Sequence, residues 1–140
     1  MQKADLANEW SLLQNQFDNY EKYSLLIKLS AIGLLAVAYL LNNLTVFVFF
    51  LLLILWFQDA IWKTFQLRIE TRLLQLEDYL SGDGLLDNDE VKAYQFNNLF
   101  LQNRPSSVTL FKEYMRQAIR PTIAFPYVLL LLMSGFKLLL

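Results

Sequence analysis

Lys28 and Asp59 are ionisable side chains set inside otherwise apolar stretches, and a charge in such a place has few physical uses. An ammonium and a carboxylate can pair and lock helices together, pass a proton, or line an ion path. Either charge left alone in hydrocarbon would cost from a few to more than ten kcal/mol on an order-of-magnitude scale, so pairing removes much of that cost. Two other partners are open to them. Lys28 stands about one turn into its apolar run and can snorkel to the interface, while Asp59 can reach Lys63 at i+4. Nothing else polar continues a route through the middle of these runs, so the pair reads as a structural lock rather than an ion path.

Other chemistries lack their residues. The 140-residue chain has no Cys and no His, which removes thiol nucleophiles, imidazole bases, disulfides and Cys/His metal sites. Its four glycines form no phosphate-cradling loop. Asp59 has no second acid beside it, as an aspartyl-protease centre requires. The acids Asp83, Asp87, Asp89 and Glu90 fail the calcium-loop spacing. The expectation is a non-enzyme with no cofactor and no bound metal. A net charge of -1 without a clustered basic surface also argues against a nucleic-acid partner.

The elements that position Lys28 and Asp59 are two apolar runs, Ser24 to Leu41 and Leu44 to Trp62, separated by Asn42 and Asn43. Each is long enough to cross a hydrocarbon core of roughly 30 Å as a helix, and paired Asn suits a tight turn. With 56% hydrophobic and only 18% charged residues, the chain is more apolar than a soluble domain. A third run, Pro121 to Leu140, has Pro121 suited to a first helical turn, with Pro126 bending it and Lys137 near its end. Ser24 to Leu41 is longer than a signal-peptide core and follows some twenty residues, so it is expected to remain in the mature protein.

Orientation follows from the basic residues. Lys63, Arg68, Arg72, Lys92, Arg104, Lys112, Arg116 and Arg120 all fall between the second and third runs, and none lies in the Asn42-Asn43 turn. The expected arrangement is a multi-pass protein of a bacterial-type inner membrane. Its N-terminus and central segment are cytoplasmic and its C-terminus lies opposite. Trp56 and Trp62 at one end of the second run, and Tyr39 near the far end of the first, suit the interfaces.

The first two helices are expected to continue beyond the lipid, each about 55 Å long at 1.5 Å per residue. Leu6, Trp10, Leu13, Phe17, Tyr20 and Ser24 form one helical stripe, and Phe65, Ile69, Leu73, Leu76 and Leu80 form another. A turn at Asn42-Asn43 sets residues equally distant from it at equal depth. Tyr20 then faces Phe65, Phe17 faces Ile69, Leu13 faces Leu73, Trp10 faces Leu76 and Leu6 faces Leu80. The agreement of two independently found stripes predicts a short antiparallel coiled-coil stalk. The alternative is a pair of helices flat in the headgroup layer, which would call for a basic polar face that Met1 to Tyr23 does not have. The same register sets Lys28 beside Asp59.

After Leu80, the turn-forming Ser81 to Gly84 leads to a helix from Asp87, with Glu90 as its capping-box partner, to about Gln102. Asn103-Arg104-Pro105 ends it. Ser106 or Ser107 then caps a short helix to Arg120, apolar along Val108, Phe111, Met115 and Ala118 together with Leu110 and Tyr114. Lys112, Arg116 and Arg120 make a basic row at i, i+4 and i+8, suited to anionic lipid headgroups at about 1 kcal/mol each. The alternative partners are Glu70, Glu77 and Asp78, or another protein.

The predicted fold is thus an all-α membrane protein with three spans, of which the first two form a long hairpin ending in a stalk. Two short cytoplasmic or interfacial helices precede the third span. The units are residues 1–80, 81–120 and 121–140. Two functions suit it: an accessory or scaffold subunit presenting a cytoplasmic helical surface to a protein partner or a second copy, or an oligomeric pore-forming or transporter-like effector. Small residues Ser30, Gly33, Ala36, Ser134 and Gly135 would permit helix-to-helix approach within or between chains. The absence of a polar stripe leans against the pore.

Overall fold

A computed structural model describes residues 2–82 and 92–140. They form five helices: α1 (Gln2–Leu40), α2 (Val46–Ser81), α3 (Phe96–Gln102), α4 (Ser107–Ile119) and α5 (Pro121–Leu139). Three of these, α1, α2 and α5, contain stretches long and apolar enough to cross a membrane. α1 and α2 pack together as a hairpin, and α2 also touches α4 and α5.

The hairpin turn is built by Asn42. Its φ of 55° is left-handed, a conformation Asn tolerates better than most residues. The Asn43 N–H donates to Ala38 O and the Asn42 N–H to Tyr39 O, the two reversed bonds of a Schellman ending. α2 begins at Val46 rather than at Leu44, because Leu44 packs into the core of the three apolar helices and Thr45 is an extended N-cap. At its other end α2 stops where Gly82 turns left-handed, at φ 85°.

Two cores divide the hairpin lengthwise. In its apolar half, Ala31 and Leu35 of α1, Leu52 of α2, and Tyr127 and Leu130 of α5 are buried together. In its more polar half, Leu6 and Leu13 of α1 meet Ile69, Leu73 and Leu76 of α2. The outward faces of the three apolar stretches carry Leu25, Leu29, Phe47, Phe50, Ile54, Phe125, Leu132 and Phe136, all exposed. Gly33 and Gly135 face open space, so neither seats one helix of the chain against another.

The return segment differs from the expectation. The Asp87 and Glu90 capping pair, with Asp83 and Gly84, lies outside the described residues. Within them, the helix predicted to reach Gln102 begins only at Phe96, after a turn in which Tyr94 has φ 60°. Tertiary bonds hold that turn. The Tyr94 N–H donates to Glu9 Oε2 (2.8 Å), Arg72 donates to Lys92 O (2.9 Å), and Asn8 donates to the Tyr94 hydroxyl (3.0 Å). They compensate an unfavourable backbone conformation. Ser106 caps α4 by accepting from the Thr109 N–H.

Candidate functional site

Asp59 is fully buried where α1, α2 and α5 converge. Ser24 and Lys28 are one turn apart on α1 and both turn toward α2. The Ser24 hydroxyl donates to Oδ1 of Asp59, the Tyr127 hydroxyl donates to Oδ2 at 3.2 Å, and Lys28 Nζ lies 3.7 Å from the same Oδ2. The carboxylate therefore receives a hydroxyl from each of the two neighbouring helices and a cation from one of them. Lys63, the other partner weighed for Asp59, is engaged elsewhere: it donates to Glu21 Oε2 at 3.0 Å and to Gln66 Oε1 at 2.8 Å. Around the centre, Trp56 stacks on Tyr127 with near-parallel rings and donates to Ala118 O at 3.1 Å, tying α2 to both α5 and α4.

Ser24 and Tyr127 were legible only in part. Ser24 ends the stalk stripe in the sequence, yet it also lies one turn before Lys28 and faces the same neighbour. Tyr127 is a phenol in an apolar run, and a buried phenol ordinarily requires a hydrogen-bond partner. Chemically, the centre binds helices. Every buried side-chain nitrogen and oxygen among the described residues has a partner.

Above Asp59 a cleft of about 470 Å³ lies between the hairpin and the α4–α5 elbow. Lys28 lines it, together with Lys63, Arg120, Glu21 and Glu70. Glu21 accepts from Gln66 Nε2 at 2.6 Å and from Lys63, and these bonds, Gln66 first, hold its carboxyl below the ordinary 4.5.

The stalk residues sit as follows. Leu6, Leu13, Ile69, Leu73 and Leu76 form the buried cluster, and Trp10, Phe17, Tyr20 and Leu80 pack against it. Trp10 also donates to Glu77 Oε1 at 3.0 Å. Phe65 is outside the cluster: Tyr20 meets Trp62 instead, with ring centres 5.1 Å apart, and Phe65 lies beyond Trp62, under Arg68. Sequence reasoning missed a buried ion pair in this core, Arg72 Nε to Glu9 Oε1 at 3.0 Å. The signal was present. Glu9 lies three residues after Leu6 and four before Leu13, and Arg72 lies three after Ile69 and four before Leu76, so helical spacing puts both on the buried faces.

Lys112, Arg116 and Arg120 are exposed and belong to none of the ion pairs among the described residues. Glu113 pairs with Arg68 instead, at 3.4 Å. The face of α4 that is buried carries Gln117 and Ala118, with Tyr114 and Phe111 touching Phe57. Val108, Phe111 and Met115, on the apolar face of α4, are exposed. Comparison with protein-family models, curated proteins and solved structures finds no match.

Proposed function

We propose that this chain is a multi-pass membrane protein acting as an accessory or scaffold subunit, its half-hairpin of α1 and α2 projecting into the cytoplasm to meet a protein partner. The observation that carries this reading is the second core. A hairpin that extends beyond its apolar stretches and is closed there by Leu6, Leu13, Ile69, Leu73 and Leu76, with Glu9 and Arg72 paired among them, is built as a stiff projection. Leu12, Leu74 and Leu101 are more than half exposed in this region and offer apolar contact to a partner.

Orientation with this half in the cytoplasm follows from the concentration of Lys and Arg between the second and third spans. α4 then lies at the headgroup layer with Val108, Met115 and Ile119 toward the acyl chains and Lys112 and Arg116 toward phosphates. The saturated bonding of Asp59 favours a lock over a conduit. Two measurements on the full chain test the proposal. Affinity capture from native membranes in mild detergent should recover a stoichiometric companion that Leu74→Asp or Leu12→Asp releases. Purified protein in vesicles should be electrically silent. Reproducible ion flux would favour the pore-forming alternative and overturn the scaffold.

A further inference from the structure

The cleft above Asp59 is lined by opposite charges, two of which, Arg120 and Glu70, belong to none of the ion pairs among the described residues. Among the described residues the Arg120 guanidinium donates only to the Gln117 side chain, at 3.2 Å, and Glu70 joins no side-chain hydrogen bond or ion pair. Both line the same space, and they do not bridge to each other. Lys28 adds a second cation whose nearest carboxylate oxygen stands at 3.7 Å, beyond hydrogen-bond length. Lys63 and Glu21 are already engaged with each other.

The level of this cleft in the fold narrows the ligand. Lys28 is one turn into the first apolar run, Lys63 directly follows the second, and Arg120 directly precedes the third. All three mark one boundary between apolar and polar chain, the depth of the phosphate layer if the chain spans a membrane as proposed above. We infer that the cleft holds the headgroup of a phospholipid bearing a primary amine, with its phosphate between Arg120 and Lys28 and its ammonium on Glu70.

Charge decides among headgroups. Lys28, Lys63 and Arg120 are balanced by Glu21, Glu70 and the Asp59 carboxylate beneath, so a net anion would enter a site with no surplus of positive charge. A zwitterion keeps the balance and satisfies both unmatched walls. A primary ammonium also donates hydrogen bonds to a carboxylate, whereas a quaternary one does not and favours an aromatic cage. Phe17 is the aromatic residue lining this cleft. The volume of about 470 Å³ lies within the ordinary range for small-molecule sites.

The test uses the full chain in lipid nanodiscs containing equal parts of phosphatidylethanolamine, phosphatidylglycerol and phosphatidylcholine, with lipid retained after detergent extraction counted by native mass spectrometry. Wild type should retain the ethanolamine lipid about tenfold over the other two, the scale of one charge-assisted contact. Glu70→Gln should abolish that preference, and Arg120→Gln should lower retention of all three lipids. Arg104→Gln, exposed between α3 and α4 and outside the cleft, should change nothing. Equal retention of the three lipids by wild type, or an unaltered preference in Glu70→Gln, overturns the inference. Glu70 has no hydrogen-bond or ion-pair partner among the described residues, so that variant stays informative even if Arg120→Gln does not fold. Soluble O-phosphoethanolamine should not displace the lipid at matched concentration, and displacement would overturn the lipid form of the proposal. Vesicle flotation is scored separately: protein that fails to float removes the membrane reading, whereas protein that floats without lipid preference removes only the cleft assignment.

Discussion

Replacing Asp59 by leucine would remove one acceptor and strand the Ser24 hydroxyl, the Tyr127 hydroxyl and the Lys28 ammonium in an apolar junction. The expected loss is about 3–5 kcal/mol, the usual scale for breaking a buried pair from one side. Adding Lys28→Met to that variant should cost little more, because the ammonium no longer has a partner to lose. Thermal unfolding of the purified protein in detergent, followed by circular dichroism, closes the cycle. Strict additivity of the two single changes would mean that Lys28 merely snorkels. Glu21 makes a second prediction, through pH. Its carboxyl titrates below 4.5 in the fold, so its bonds to Gln66 and Lys63 stabilise fully at and above ordinary carboxylate pH. That contribution disappears as pH falls below 4.5 and through the lower folded value. Glu21→Gln should accordingly flatten the acid limb of a stability-against-pH curve, and an unchanged limb would show that other carboxylates govern it.

At the scale of elements, the turn between α1 and α2 decides the register of everything beyond it. Asn42 at φ 55° also accepts from Lys137 Nζ at 3.0 Å, and the same ammonium lies 4.0 Å from the Tyr39 ring centre, so the end of α5 is fastened to the turn. Asn42→Ala should destabilise the protein by about 1–2 kcal/mol through the left-handed backbone. Asn42→Gly should be milder, since glycine relieves the backbone while still losing the Lys137 bond. Equal melting temperatures for the two variants would show that the left-handed turn contributes nothing. Elsewhere, tertiary bonding outweighs local preference: the bonds at Tyr94 hold a turn where helix was expected.

For the whole molecule, the proposed topology has a direct readout because the chain has no cysteine. Asn43→Cys should react with a membrane-impermeant maleimide from outside intact cells, and Asn98→Cys only after permeabilisation. The reverse pattern would invert the orientation. Self-association can be separated from folding at Gly33, where an added side chain meets no atom within 4 Å. Gly33→Leu should leave the melting temperature of the monomer within the small range of a neutral surface change, about 0.5 kcal/mol. If the exposed Ser30, Gly33 and Ala36 face joins two copies, the same variant should abolish their crosslinking. A large loss of monomer stability would contradict the open surroundings of Gly33.

Length, hydropathy and helical spacing by themselves determined the three apolar helices, the turn at Asn42-Asn43 and the facing of Leu13 with Leu73, because these depend on periodicities local to each segment. The Lys28 and Asp59 proximity was also legible, since a tight turn converts distance along the chain into depth. Tertiary structure alone decided that Tyr127 would complete the Asp59 centre, that Glu9 would also hold the Tyr94 turn, and that α4 would bury Gln117 and Ala118. In each case the deciding partner lies on an element whose approach angle no local pattern encodes, and a buried polar group is satisfied by whichever donor that approach brings within reach.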